Sequence, residues 1–368
     1  MKWYFMVIFL VIATVIIAAG HLGLYASWVK FFGIHSVKIK YILRIVLAVL
    51  SLSFLATTAL TFWRDNALVN ALYAGAGAWL GIVWYLALAV AASWLVFFIG
   101  KVCGIQIPMA IIAGVFIVAA AAFSVYGLWN AQHPVIKRIT VTIPNLPQAW
   151  KGRVAVQLSD VHLGPVHRER FMQHIISQVK AINPDVVFIT GDLFDGEGRN
   201  LDTLAEPLNE LTPPFGSYFI TGNHETYIGL DKSLDALRAI DINILRDSSV
   251  DVAGVNIVGV DYPKPGEKKD FSKIVSLAVA GQPSIVLWHQ PSDLDTLKNL
   301  GVNLVLSGHT HDGQLWPFNY ITDAVFHGHG YGLTVDGPFT EYTSSGVGTW
   351  GPPMRTGNRP EIVVITFQ

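Results

Sequence analysis

The chain has 368 residues, of which 52 % are hydrophobic and only 14 % are charged. This composition is too apolar for an ordinary soluble protein, and the length allows more than one domain at about 150 residues each. The formal net charge of −1 conceals two unlike regions, because residues 1–134 carry seven basic residues and one acidic residue, whereas residues 135–368 carry 18 basic and 25 acidic ones. We therefore expect a basic, apolar region followed by an acidic domain of mixed composition.

Four long charge-poor segments of the first region predict membrane-spanning helices. A helix needs roughly 20 apolar residues to cross the hydrocarbon layer, and a buried soluble domain rarely contains uninterrupted runs of that length. A cleavable signal peptide would explain only the first segment. We predict a transmembrane region over residues 1–134, with helices at about 3–24, 43–63, 72–99 and 107–129. The small residues of Ala74–Ala78 are typical of close helix–helix packing.

The distribution of basic residues predicts the orientation of these helices. Loops 29–44 and 101–106 together carry five Lys or Arg residues, whereas the N-terminus and the 64–66 turn carry two. The positive-inside rule then places the two loops in the cytoplasm and residues 135–368 on the extracytoplasmic face of a multi-pass membrane protein. The basic residues just after the fourth helix oppose this assignment, so the reverse orientation stays open. The single cysteine, Cys103, excludes an intrachain disulfide.

Residues 135–368 alternate short apolar runs with helical patterns, which predicts an α/β domain. A hairpin pattern around Gly254 and a β-rich tail favour mixed rather than purely parallel sheets. Five polar clusters follow apolar runs, at what would be the carboxyl ends of strands, where ligands gather in open α/β sheets. These clusters are Asp160–His162, Gly191–Asp195, Gly222–Glu225, His289 and Gly308–Gln314. Carboxylates, imidazoles and one side-chain amide that converge at one edge predict a site for two divalent metal ions.

In chain order the clusters read D-x-H, G-D-x-x-D, G-N-H-E, H and G-H-T-H-x-G-Q. This series resembles the calcineurin-like metallophosphoesterase superfamily, and in particular its membrane-anchored branch, whose tail has a G-x-G and P-x-R pattern found here at Gly346–Gly348 and Pro353–Arg355. The resemblance covers residues 139–368. It implies a two-sheet α-β-β-α sandwich with a dinuclear metal site at one edge.

The resemblance also implies a role for each site residue. One metal would be held by Asp160, His162 and His311, the other by Asn223, His289 and His309, and Asp192 would bridge the two. Such a mixed donor set suits manganese, zinc or iron better than calcium or magnesium. A hydroxide activated by the two metals would attack phosphorus. His224 would protonate the leaving oxygen, and Asp195 would orient His224.

Arg355 is a further candidate for the site. Its guanidinium could bind a phosphate oxygen in bidentate fashion, although a tail arginine could instead pair with Glu341 or Glu361. The residues leave open whether the substrate is a monoester or a diester.

Taken together, the pattern predicts a membrane-tethered hydrolase of phosphoric esters or anhydrides. The bilayer is the expected partner and no nucleic acid is expected. Tethering favours a lipid-linked phosphate, and a soluble substrate stays open. The alternative is a non-catalytic membrane sensor or scaffold that retains the metal-binding fold. The presence of every expected ligand and of both His224 and Asp195 favours the enzyme.

Overall fold

The computed structural model describes residues 3–368, with side chains at Ile8 and from Val11 onward. It divides into two compact units. The helical unit contains the chain up to Trp129 together with Gly351–Thr356, which we call the tail segment. The α/β unit contains Asn130–Trp350 and Gly357–Gln368.

Four long apolar helices precede the α/β unit, as the sequence predicted. They are α1 (Trp3–Phe31), α2 (Val37–Trp63), α3 (Ala67–Val102) and α4 (Met109–Asn130). Each contains a stretch long and apolar enough to cross a membrane. Side-chain caps fix two of the starts: Ser36 accepts a hydrogen bond from the Ile39 amide and Asn66 accepts one from the Val69 amide, which satisfies N–H groups that a helix leaves unpaired. Helices α1, α2 and α3 extend beyond their predicted bounds, whereas α4 begins two residues later than predicted and ends one residue later.

Glycines of α3 and α4 accommodate the tail segment. A Cβ on Gly81 would lie 3.1 Å from the sulfur of Met354, and one on Gly127 would lie 2.5 Å from Met354 Cγ. The Arg355 amide donates to the Gly127 carbonyl at 2.9 Å. A side chain at Gly127 would therefore require the tail segment to shift, whereas the contact at Gly81 is only tight.

The predicted small-residue stretch has the same neighbour. A Cβ on Gly77 would lie 3.1 Å from the Gly351 carbonyl oxygen and 3.6 Å from Phe54 of α2. Helix–helix packing alone is thus an incomplete explanation of this stretch, because the tail segment occupies part of the space that the small residues leave.

The α/β unit contains twelve strands in two mixed sheets. In chain order they are β1 (Val135–Val141), β2 (Val154–Leu158), β3 (Val186–Ile189), β4 (Ser217–Phe219), β5 (Asn243–Ile244), β6 (Ser248–Val252), β7 (Val255–Gly259), β8 (Ser284–Leu287), β9 (Leu304–Ser307), β10 (Gly332–Asp336), β11 (Phe339–Thr343) and β12 (Glu361–Phe367). The first sheet has the order β1-β12-β2-β3-β4-β5 and the second β10-β11-β9-β8-β7-β6. The strands β2 to β5 are mutually parallel, as are β7, β8, β9 and β11.

Helices flank both sheets. They are α5 (Glu169–Ile182), α6 (Leu201–Ala205), α7 (Asn223–Ile228), α8 (Leu230–Asp235), α9 (Phe271–Val275), α10 (Leu294–Asn299) and α11 (Phe318–Val325). Only α5 has a long stripe of buried apolar residues, which includes Met172, Ile175 and Val179.

Three apolar clusters show the layering of this unit. One joins the first sheet to α5, and its members include Val156 and Ile175. The second lies between the sheets, where Phe188 of the first sheet and Leu304 of the second are both fully buried. The third joins the second sheet to α9 and α10, with Trp288 and Leu297 among its members. This arrangement confirms the predicted α-β-β-α sandwich.

Candidate metal centre

The side chains that the sequence singled out lie at the carboxyl ends of five strands. Each strand contributes through the loop that follows it: Asp160 and His162 after β2, Asp192 and Asp195 after β3, Asn223 and His224 after β4, His289 after β8, His309 and His311 after β9. All are buried except Asp195 and His309, which are partly exposed. Because β2, β3 and β4 are parallel neighbours, as are β8 and β9, their carboxyl ends open at shared edges of the two sheets.

Asp160, His162 and His311 form the first group of donors. Their ligand atoms all lie within 4.8 Å of one another. The Nε2 atoms of His162 and His311 are 3.0 Å apart, and His311 Nε2 is 3.5 Å from Asp160 Oδ1. The two rings therefore present the same nitrogen to one point in space.

Asp192, Asn223, His289 and His309 form the second group. His289 Nε2 lies 3.2 Å from Asn223 Oδ1 and 3.3 Å from both Asp192 Oδ2 and His309 Nδ1. The same Asp192 oxygen is 3.9 Å from His162 Nε2 of the first group. Asp192 thus occupies the position between the groups that a bridging carboxylate requires.

The hydrogen bonds of the histidines fit a bound cation. The Nδ1–H of His289 donates to the Thr190 carbonyl at 2.8 Å, so the neutral ring has its lone pair on Nε2, facing oxygen and nitrogen acceptors. Buried acceptors that face one another need a proton or a cation between them. In the first group, His162 Nδ1 is buried and has no hydrogen-bond partner among the described residues. The donor set therefore fits bound metal.

Burial and the carboxylate of Asp192 determine the protonation of the histidines in the centre. Burial lowers the pKa of His162 to about 3 and that of His309 to about 4, so both rings are neutral, as metal ligands must be. Burial opposes the charged form of His289 too, but Asp192 outweighs it and raises the pKa of His289 to about 10. The attraction of His289 in turn holds the pKa of Asp192 well below its usual range, against burial. A cation at this position would displace the proton that these two residues share.

His224 and Asp195 form an ion pair beside the first group. His224 Nδ1 is 3.0 Å from Asp195 Oδ1, and its ring centroid is 4.6 Å from that of His162. Burial lowers the pKa of His224, but the hydrogen bond to Asp195 and the charge of Asp192 outweigh burial and raise it to about 9. The imidazole is therefore protonated at neutral pH, which suits a proton donor.

Glu225 has a structural role that the sequence pattern did not reveal. Its carboxylate is fully buried and accepts three backbone N–H bonds, from Gly222 at 2.7 Å, Asp192 at 3.0 Å and Phe194 at 3.1 Å. It thereby joins the loop after β3 to the loop after β4. The G-N-H-E motif marked the position, but only the fold shows which amides the carboxylate binds.

Strained backbone accompanies the donors. Five of the seven residues that the sequence predicted as ligands have φ values between 51° and 72°, namely Asp160, His162, Asp192, His309 and His311. Non-glycine residues rarely adopt this region, and such conformations persist where the surroundings impose them, often at functional sites. A Cβ on Gly308 would overlap Ser159 Oγ and Asp160 Oδ2, so this glycine is required for close approach of the loops.

Arg355 belongs to the helical unit rather than to the α/β unit that carries these donors. Its side chain is fully buried. The two carboxylates that offered an alternative pairing have partners within the α/β unit. Glu341 lies 2.6 Å from His329 Nδ1, and Glu361 accepts hydrogen bonds from the Tyr331 and Tyr342 hydroxyls.

Comparison with known proteins identifies the family. The model of the family described as calcineurin-like phosphoesterase matches residues 154–313. A zebrafish (Danio rerio) transmembrane protein with a metallophosphoesterase domain is 34 % identical over 272 residues, which cover 68 % of this chain and 62 % of that protein. An uncharacterised metallophosphoesterase of Campylobacter jejuni is 33 % identical over 260 residues, 68 % of each chain. A third, of Aquifex aeolicus, is 35 % identical over 243 residues, 63 % of this chain and 91 % of that protein.

The matched region thus spans between about three fifths and nine tenths of these relatives. On the identity and coverage of the Campylobacter and Aquifex proteins, the chain belongs to the calcineurin-like phosphoesterase family.

Proposed function

We propose that the chain is a membrane-tethered hydrolase of phosphoric esters or anhydrides that works with two divalent metal ions. One observation carries the proposal: two groups of buried donors meet at Asp192, next to the His224–Asp195 ion pair. Membership of the family supports a phosphoric-ester hydrolase.

The seven ligands that we propose carry two formal negative charges. They are Asp160, His162 and His311 for one ion, Asn223, His289 and His309 for the other, and Asp192 for both. Two bound divalent cations would lower the pKa of a water molecule and offset the charge of the phosphate. Since only Asp160 and Asp192 are anionic, the loaded site would keep a positive charge that attracts a phosphoester. The mixture of imidazole, carboxylate and amide donors favours manganese, zinc or iron.

His224 is the proton donor in this proposal. Asp195 occupies its Nδ1 at 3.0 Å, which orients the ring and leaves Nε2 to protonate the departing oxygen. Acid help of this kind typically contributes about 10²–10⁴-fold to the rate. The exposed rings of Tyr227 and Trp350 lie 5.5 and 6.0 Å from the His224 ring, so an organic leaving group would have apolar surface on which to rest.

The test is hydrolysis by the full chain in lipid nanodiscs. The substrates are p-nitrophenyl phosphate and bis-p-nitrophenyl phosphate, each assayed with manganese, with zinc and with a chelator. We expect metal-dependent turnover that Asp192→Asn abolishes, whereas Asp251→Asn, at an exposed position of β6, leaves it unchanged. Bound metal without turnover of either ester would instead support the sensor or scaffold.

We also propose that Arg355 binds the substrate phosphate. Arg355→Lys keeps the charge but loses the bidentate geometry, so we expect KM to rise while kcat changes little. A fall in thermal stability with unchanged KM would make Arg355 a structural residue.

The orientation proposed is extracytoplasmic for the α/β unit. Cys103 is the only cysteine of the chain, is exposed, and follows the end of α3. In intact cells a membrane-impermeant maleimide should therefore leave Cys103 unlabelled until the membrane is permeabilised. Labelling of Cys103 from outside in intact cells would show that the α/β unit has the opposite orientation.

A further inference from the structure

An exposed apolar helix follows the last pair of metal-site histidines. None of the eight residues of α11 is buried, and the exposed fractions of Ile321 and Val325 are 57 % and 60 %. Phe318, Ile321 and Val325 recur at the spacing of one helical face. A soluble domain would turn such a face towards its core, so its exposure indicates that something outside the α/β unit covers it.

This helix borders the candidate metal centre. It begins five residues after Gly313, the end of the 3-10 turn that contains His311. After the helix, the Phe326 ring lies 6.2 Å from the His309 ring, and the Thr310 hydroxyl donates to the Gly330 carbonyl at 2.6 Å. Whatever covers α11 is therefore adjacent to the residues proposed to hold both ions.

The chain itself indicates what covers the helix. Gln314, four residues before α11, exchanges two hydrogen bonds of 3.0 Å with the backbone of Trp350, and its carbonyl accepts from the Gly357 amide at 3.2 Å. Trp350 and Gly357 are the two residues that border the tail segment in the sequence. The tail segment itself packs on the apolar helices α3 and α4, and in the sequence it directly joins the two residues that Gln314 binds.

The exposed side chains suit the surface of a bilayer. In and just before the same helix, Trp316 and Tyr320 are 44 % and 67 % exposed. Trp and Tyr concentrate at the headgroup level of membranes, where a ring with one polar atom is favoured. Helices with one apolar face lie in this interface with that face buried.

We propose that α11 docks in the headgroup layer of the bilayer and brings a lipid-borne phosphoester to the metal centre. The delivery of substrate rests on the proposed function, whereas docking does not depend on it. The substrate class would be a phosphate group carried by a lipid, presented at the level of the headgroups.

Docking can be measured without any activity. In a Cys103→Ser background, an environment-sensitive fluorophore is attached to Ile321→Cys, to Val325→Cys or, as a control, to Ser177→Cys at an exposed position of α5. The full chain is studied at one copy per nanodisc, with lipids that bear a spin-label quencher on the acyl chain near the headgroup. We expect quenching at 321 and 325 at least threefold greater than at 177. Equal quenching at all three sites would overturn the proposal, because it would show that α11 is no closer to the lipid than α5 is. One copy per nanodisc ensures that a second copy does not cover the helix.

Delivery of the substrate is measured by paired charge substitutions. Ile321→Asp with Val325→Asp is compared with Leu277→Asp and Val279→Asp, two apolar residues that are 54 % and 51 % exposed elsewhere in the α/β unit. The substrates are phosphatidic acid in vesicles and soluble p-nitrophenyl phosphate.

We expect the α11 variant to lose about tenfold or more in kcat/KM on the lipid only, and the control to lose nothing. An equal loss on both substrates would overturn delivery through α11. Absence of turnover by the unsubstituted chain on either substrate would count against the proposed function, while the quenching result would still decide docking.

Discussion

Asp192 connects the parts of the site at the scale of single residues. Its Oδ2 lies 3.3 Å from His289 and 3.9 Å from His162, while its Oδ1 accepts the His224 amide at 2.9 Å. One carboxylate thus links both groups of donors to the loop that carries His224, the proposed proton donor. Because Glu225 in turn binds the Asp192 amide, the geometry of the centre depends on a residue that touches neither metal position.

Replacing Glu225 should therefore weaken metal binding. Glu225→Gln keeps the volume but replaces one accepting oxygen with a donor, so at least one of the three backbone N–H groups loses its partner. Loss of such supporting hydrogen bonds typically reduces metal affinity by about 10–100-fold. The measurement is a metal titration against a competing chelator. Glu210→Gln, at an exposed ion pair with Lys180, is the matched control, and an unchanged affinity in Glu225→Gln would refute the supporting role.

The His224–Asp195 pair predicts a dependence on the leaving group. His224→Gln should lower kcat by about 10²–10⁴-fold for an alkyl phosphate, whose alkoxide needs a proton. The loss should be much smaller for p-nitrophenyl phosphate, because p-nitrophenolate departs without one. Metal content, measured on the same samples, should stay within twofold of the original chain. A loss that is equal for both esters would show that His224 acts on something other than the leaving oxygen.

At the scale of elements, the local pattern of apolar and polar residues predicts the sheets and the candidate site but not the packing of the tail segment. Apolar runs of four to seven residues predicted strands, and polar residues directly after them predicted a shared edge, because parallel strands align their carboxyl ends. Those regularities are local in sequence. The packing of the tail segment against Gly81 and Gly127 joins positions more than 200 residues apart. No pattern within the helices or within the tail segment predicts this contact. The apolar face of α11 is also a local pattern, but its exposure is a property of the fold.

Two glycines of α4 should respond oppositely to the same substitution. Gly127→Ala places a Cβ 2.5 Å from both Met354 Cγ and Thr356 Cγ2, whereas a Cβ at Gly114 meets nothing within 4 Å. Overpacking should destabilise the first variant by about 1–3 kcal/mol. Gly114→Ala should stabilise the helix by about 0.5–1 kcal/mol, since alanine has the higher helix propensity. Thermal unfolding in detergent measures both, and a stabilised Gly127→Ala would contradict the packing of the tail segment.

At the scale of the whole molecule, each region has the composition that its surroundings require. The first region is apolar and weakly basic, and α1 and α2 expose many aliphatic side chains, which suits helices surrounded by lipid. The α/β unit has the ordinary pattern of apolar sheets, and it buries Asp160 and Asp192 among the donors of the candidate metal centre. All the proposed metal ligands lie in the α/β unit. We therefore expect bound metal to raise the unfolding temperature of that unit and to leave that of the helical unit unchanged.

Metal removal should lower the thermal stability of the α/β unit, and the effect should depend on pH. Without metal, Asp192 raises the pKa of His289 to about 10. This proton contributes stability that is fully present below the ordinary histidine pKa and is lost as the pH rises towards 10. Metal binding must displace it, so the stabilisation by metal should be small at pH 5.5 and should increase through pH 8.5.

At 100 times the dissociation constant that stabilisation amounts to about 2.7 kcal/mol. Unfolding temperatures with manganese and with chelator, measured across this pH range, give the difference directly. The variant His289→Asn, which cannot take up this proton, should lose most of the metal effect and most of its pH dependence. If the difference between the two unfolding temperatures were constant with pH in the original chain, His289 would not be the group that exchanges its proton for the metal.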